Sequence, residues 1–294
     1  MKTDMVPNHF VRPCLEYVVA TFAPNDIFGL SLAIQPSDNN AMNRSREAGR
    51  LEMDNQLSRL GYRGRYASNM QSESITLRET LNLVDVRGGD FDTLILSRGK
   101  PLAINWHDCA GSVAQYLVRA GVSDYEDELA SLRHVLDGNI DPDAELVPQI
   151  ELFLQLLAPA TYTLAIDSFN ISDMIEPHAE WNPAKDYDNF YPIDTTLVLT
   201  QPTSSLNDTT IKEYVAKIKS GKRPIVLAVT TKDAWCNYVI DGHHKLVAYR
   251  KLNTKPTVLS AYRMSPPPLP RDTFTEWFPA NHPLASHYSK NKRK

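Results

Sequence analysis

The chain has 294 residues, of which 42% are apolar and 22% charged, with a formal net charge of -4. That balance describes a globular protein with core material for one large domain or two ordinary ones, and it excludes a global field drawing the chain to nucleic acid or an anionic membrane. Cys14, Cys109 and Cys236 are too scattered for a disulfide framework or a metal knuckle.

The opening MKTDMVPNHFVRP has no signal-like apolar run. The longest apolar stretches, such as Pro224 to Val229, fall far short of the ~20 residues of a membrane span. A cytoplasmic protein that makes no membrane contact is the expectation.

In chain order, Phe28 to Gln35 reads as a strand and Asn43 to Leu60 as a helix closed by Gly61. Asn43-Arg44-Ser45-Arg46 with Arg50 gives that helix a small basic face. Ser74 to Leu83 and Thr93 to Trp106 hold short strand or helix candidates. LILSRGKPLAINW reads as a hairpin with Gly99 and Pro101 in its turn. A helix is expected from Asp108 through Val113 to Val118, which would set Cys109 beside His107 at a helix start. Glu145 to Leu157 reads as helix and Tyr162 to Ile166 as strand. The polar segment Asp173 to Asn189 is the candidate linker. Residues 1–180 are therefore read as a mixed α/β N-terminal domain.

Periodicity sharpens after the linker. Ile193 to Thr200 is a predicted strand. Asn207 or Asp208 caps a helix over Thr209 to Lys219, with Ile211, Tyr214, Val215 and Ile218 on one face and Gly221 at its end. Strands follow at Ile225 to Thr230 and Asn237 to Ile240, then a helix at His243 to Leu252 and a strand at Thr257 to Tyr262. The order is β-α-β-β-α-β, an α+β pattern over 188–265. A polyproline stop, SPPPLP, and a basic tail occupy 266–294.

The segment richest in chemistry is Val239-Ile240-Asp241-Gly242-His243-His244-Lys245. A strand ends, Asp-Gly turns sharply, and a helix opens. A helix start offers free N–H groups and partial positive charge to an anion, and glycine lets backbone approach a phosphate. The two histidines and the lysine add donors. Asp241 has the chemistry to hold Mg²⁺, accept a proton or cap the helix. On spacing alone the same string is also an ordinary turn with a solvated first helical turn. Glu213 and Lys217, four apart, share a helix face with Thr210 one turn earlier; an ordinary surface ion pair is the plain alternative.

DGHHKLVAYRKL followed by a strand, with LVLTQP, the Asn207 helix and GKRPI upstream, resembles the ParB/sulfiredoxin superfamily over about 75 residues. Sulfiredoxins carry a cysteine within Gly-Cys-His-Arg; His243 stands there, so thiol repair chemistry is not implied. ParB partition proteins carry Gly-Glu-Arg-Arg and a following helix-turn-helix, which this chain lacks. The motif is closest to the Asp-Gly-His-His-Arg of ParB-like free serine kinases. That resemblance implies a phosphotransfer enzyme or nucleotide hydrolase using ATP or ADP with Mg²⁺ and a small-molecule or protein acceptor. It implies Asp241 as base or metal-side carboxylate, and Gly242, His243, His244 and Lys245 at the phosphates. Lys217 and Thr210 would add phosphate contacts, and Glu213 would be a second acid. Lys245 replaces the family arginine and loses its fork. The family glutamate near the first strand has no counterpart here, since Ile193 to Asn207 holds only Asp194. Three alternatives stay open: a ParB-like nuclease or DNA-binding module, a non-catalytic nucleotide sensor of a bacterial or phage conflict system, and a homodimeric form of any of these.

Overall fold

A computed structural model describes residues 17–21, 72–89, 92–109, 112–117, 125–141, 143–171, 174–176, 196–232, 234, 236–270, 274–278, 280, 281 and 285. They form a mixed α and β structure, in keeping with the α+β class. The expected strand at Phe28 to Gln35, the helix at Asn43 to Leu60, most of the linker and the basic tail lie outside these residues.

The larger sheet has eight strands: β1 (Tyr17–Thr21), β2 (Ser72–Leu77), β7 (Ala160–Ser168), β8 (Met174–Ile175), β9 (Leu197–Leu199), β10 (Ile225–Thr231), β11 (Asn237–Asp241) and β12 (Thr257–Arg263). Their order is β1-β2-β7-β12-β10-β11-β9-β8. β10 runs parallel to β12 and antiparallel to β11, while β9 runs parallel to β11. β7 pairs antiparallel with the full length of β12, from Thr257 opposite Ser168 to Arg263 opposite Tyr162. One hydrogen-bonded sheet therefore crosses the boundary drawn in the sequence near residue 180. The β-α-β-β-α-β segment supplies β9, β10, β11 and β12 of this sheet, and β7 and β2 continue it.

The second sheet is a meander of β3 (Val84–Gly89), β4 (Asp92–Ser97), β5 (Lys100–Cys109) and β6 (Ser112–Leu117). The hairpin expected in LILSRGKPLAINW is present, with Ser97 opposite Lys100. Its two-residue turn is Arg98-Gly99, both at positive φ (50° and 76°), which matches the right-handed strand twist. Pro101 is not in the turn. It lies within β5 opposite Leu96, beside a register shift, the kind of irregular position where a strand tolerates proline.

The helix expected from Asp108 is also corrected. Asp108 and Cys109 end β5, and Val113 opens the body of β6 opposite His107. A short apolar run does not distinguish helix from strand, and here the open edge of the preceding strand decides it. The Cys–His pairing at a helix start loses its basis.

Short helices α1 (Glu126–Leu129), α2 (Arg133–Leu136), α3 (Leu146–Gln149) and α4 (Glu151–Leu156) connect the two sheets. The helix expected at Glu145 to Leu157 is thus broken at Ile150. Two longer helices, α5 (Asp208–Lys219) and α6 (His243–Lys251), lie against each other, and a last turn, α7 (Phe274–Trp277), follows β12.

Strand alternation sorts the core into two layers. Ile75, Leu164, Leu227, Val229 and Leu259 pack with Val84, Val86 and Ile95 of the second sheet and Phe153 and Leu156 of α4. Val226, Ala228, Val239 and Val258 face the other way and meet Leu246 of α6. Ile211 and Ile218 of α5 close over Ala248 and Tyr249. Cys236 is a buried thiol of the first layer. Among the described residues no helix is long and apolar enough to cross a membrane.

Candidate functional site

The strand β11 ends at Asp241 and α6 begins at His243, so Gly242 makes the whole turn. Its φ is 96°, in the left-handed region that glycine adopts without strain. The approach is also close: an added Cβ would sit 3.1 Å from Val226 Cα and 3.3 Å from Lys245 Cδ. The N-cap, Gly242, has no side chain with which to cap α6. The start of a helix is a place that attracts anions.

Lys245 is only 4% exposed. Its ammonium donates to Ile225 O at 2.8 Å and to Asp241 Oδ2 at 3.2 Å. The Asp241 side chain keeps 30% of its surface exposed. Lys245 thus anchors the aspartate from beneath, and the carboxylate faces outward beside the helix start. A lysine reaching back to a carboxylate one helical turn away needs no fork.

Both histidines bind inward. His243, 6% exposed, accepts at Nε2 from Thr200 N at 3.3 Å. Thr200 Oγ1 donates to Val239 O, which fixes that residue beside β11. His244 Nε2 accepts from Asn207 N at 2.9 Å. Burial holds the His244 pKa below its ordinary value, against the opposing fields of Asp241 and Glu126. His243 Nε2 also lies 3.3 Å from Thr200 Oγ1, so the two rings brace the loop before α5.

The helix α5 starts as its sequence indicates. Asn207 is the N-cap, and its Oδ1 accepts from Thr209 N at 2.8 Å and Thr210 N at 3.2 Å. Thr210 is half-buried in that first turn. Lys217 does not turn to Glu213. Its ammonium sits on both oxygens of Asp137, at 3.0 and 2.8 Å. Glu213 is exposed on α5.

Tyr214 joins these parts. Lys217 Nζ lies 4.9 Å from its ring centre and Lys245 Nζ 5.8 Å, both within cation–π range. Burial pushes the Tyr214 pKa up to about 12, with Asp137 and Asp241 adding to it, so the phenol keeps its proton. Asp137, Lys217, Tyr214, Lys245 and Asp241 therefore form one polar seam. Sequence reasoning reached Asp241, Lys245 and Lys217. It placed Tyr214 only on an apolar face and did not find Asp137, whose Asp137-Gly138 turn carries no motif. Thr200 was missed as well.

Among the described residues no group of three or more His, Cys, Asp or Glu side chains is placed to hold a metal ion. A single outward carboxylate fits Mg²⁺ that arrives on nucleotide phosphates rather than in a protein cage. Compared with protein-family models, with curated proteins and with solved structures, the chain matches none.

Proposed function

We propose that the Asp241–Lys245 turn binds the phosphates of a nucleotide and that the protein transfers or hydrolyses a phosphoryl group there. The start of α6, opened by Gly242 at a φ of 96° next to an outward carboxylate, carries this reading. Anion-seeking N–H groups and a carboxylate for Mg²⁺ or a proton are the two things phosphoryl transfer asks of a protein. The β-α-β-β-α-β order and the DGHHK string add the resemblance to ParB-like kinases of the ParB/sulfiredoxin superfamily.

In this reading the backbone N–H groups of α6 hold phosphate oxygens. Asp241 is the base or the metal-side carboxylate. Lys245 positions Asp241 and lends the site its charge from below. His243 and His244 shape the adjoining loop. Lys217 and Thr210 stand on the neighbouring helix as secondary phosphate contacts, and exposed Glu213 has no part. The nucleotide is ATP or ADP with Mg²⁺, and the acceptor is a small molecule, a protein or water.

Calorimetry of the full chain with ATP, ADP, CTP and GTP, each with and without Mg²⁺, tests the reading. Binding of at least one nucleotide, with release or transfer of phosphate on incubation, is expected. Asp241→Asn keeps the shape and a partner for Lys245, so it should retain binding and lose turnover by about a hundredfold or more. Silence with all four nucleotides overturns the proposal. Binding without any turnover makes the protein a sensor rather than an enzyme.

A further inference from the structure

Residues 125–137, which carry α1 and α2, are held at both ends. At the start the Tyr125 hydroxyl shares a buried hydrogen bond of 2.8 Å with Ser97 Oγ. At the end Asp137 grips the Lys217 ammonium of α5. Between them Leu129, Leu132 and Leu136 are buried in the core layer shared by the two sheets. Arg133 lies one helical turn before Asp137, whose N–H donates to Arg133 O at 2.9 Å. Residues four apart share a helix face, so the Arg133 side chain leaves α2 on the flank that meets α5. Its guanidinium donates to one oxygen of Glu126 at 2.6 Å. Both side chains are open, at 62% and 72% exposure. An exposed pair with a single contact is weak and is exchanged at little cost.

This flank and the start of α6 meet at Tyr214. Its ring has Lys217, the partner of Asp137, at 4.9 Å and Lys245, the partner of Asp241, at 5.8 Å. Burial is the main cause of the raised Tyr214 pKa, but the charges of Arg133 and Glu126 both reach that phenol, and the charge of Glu126 reaches His244 as well. A helix start holds one anionic group. A nucleoside di- or triphosphate brings further charge, and the cations nearest the turn are engaged. Lys245 is closed beneath Asp241, and Lys217 lies on both oxygens of Asp137. Arg133 stays within reach of solvent, and its planar fork matches two phosphate oxygens.

We propose that Arg133 is a second phosphate-binding cation of this site, which exchanges Glu126 for the phosphates beyond the one at the start of α6 and so selects nucleoside di- and triphosphates over monophosphates. The proposal rests on the nucleotide reading above and adds to it a residue from the N-terminal part of the chain. Glu126 holds the guanidinium in place while no ligand is bound. Asp137 and the buried leucines keep α2 where it is, so the exchange needs only a turn of the Arg133 side chain.

Calorimetry of the full chain tests it, with the nucleoside that the wild type binds best supplied as its tri-, di- and monophosphate in Mg²⁺. Arg133→Gln should weaken the triphosphate about tenfold, the worth of one hydrogen bond between charged groups, and leave the monophosphate within about twofold. Arg133→Lys keeps the charge without the fork and should fall between the two. Glu126→Gln releases the guanidinium and should tighten the triphosphate about threefold, the worth of an exposed ion pair; a pair with a merely structural role gives no such gain. Unchanged triphosphate affinity in Arg133→Gln overturns the proposal and leaves the nucleotide reading standing. An equal loss with tri- and monophosphate does the same. A wild-type chain that binds no nucleotide removes both.

Discussion

Arg263 at the end of β12 and Lys245 at the start of α6 are both buried cations held by an aspartate, yet the two regions are built for different ends. Arg263 reaches across to the second sheet, where it bonds Asp85 and donates to Val86 O at 2.9 Å. Asp85 in turn accepts from Arg87 Nε at 2.7 Å. Both side chains of the Arg263 pair are closed, at 9% and 15% exposure, whereas Asp241 stays twice as open as Asp85. A pair closed on both sides joins two layers and has no charge left to offer. A pair with a buried cation and an open carboxylate presents that carboxylate at a fixed place.

The comparison breaks most easily at Asp85. Asp85→Ala leaves the Arg263 guanidinium buried against a single carbonyl, and Arg263 Nε already has no hydrogen-bond partner. Removing one member of such a pair is expected to cost about 3 kcal/mol in urea unfolding. A loss below about 1 kcal/mol would reduce the tie between the sheets to the worth of a surface bridge.

Gly242→Ala probes the other region, with a middle-sized effect. Alanine at φ 96° carries a left-handed penalty, and its Cβ meets Val226 backbone at 3.1 Å. About 2 kcal/mol of stability should go, by the strain of the conformation and the shift the contact forces. Nucleotide affinity should fall with it, because the strand end and the helix start would separate. A stable, fully binding Gly242→Ala protein would mean that the turn can relax and that its close approach is not what shapes the site.

The two regions also differ in how far their sequence could be read. Between Ile193 and Tyr262 the period changes cleanly from two to 3.6 and back, with Asn207 and Gly221 marking helix ends. All four strands and both helices appear there within a few residues of their expected limits. Before the linker the apolar runs are short, and a short apolar run suits strand and helix alike, which is why Asp108 to Val118 reads as a helix. At the site, DGHHK was visible as a string, but the direction of its side chains was not. The partners of His243, His244, Lys245 and Lys217 lie 43, 37, 20 and 80 residues away, and three of the four bonds go to backbone atoms that no residue pattern encodes.

Glu213 gives the smallest effect and the sharpest division between spacing and structure. Four residues before Lys217, it has the arrangement of a helical ion pair or of a second acid facing the same pocket. Asp137 has taken Lys217 instead, with two oxygens rather than one, and Glu213 is left on the solvent side of α5. Glu213→Ala should therefore change stability by no more than about 0.5 kcal/mol. It should leave nucleotide binding and phosphate release as they are, whereas loss of a working general acid costs about a hundredfold or more in rate. A drop of that size would bring Glu213 into the site through a movement of α5. In that movement Lys217 would exchange Asp137 for Glu213, so Asp137→Asn, measured alongside, should then raise activity instead of sparing it.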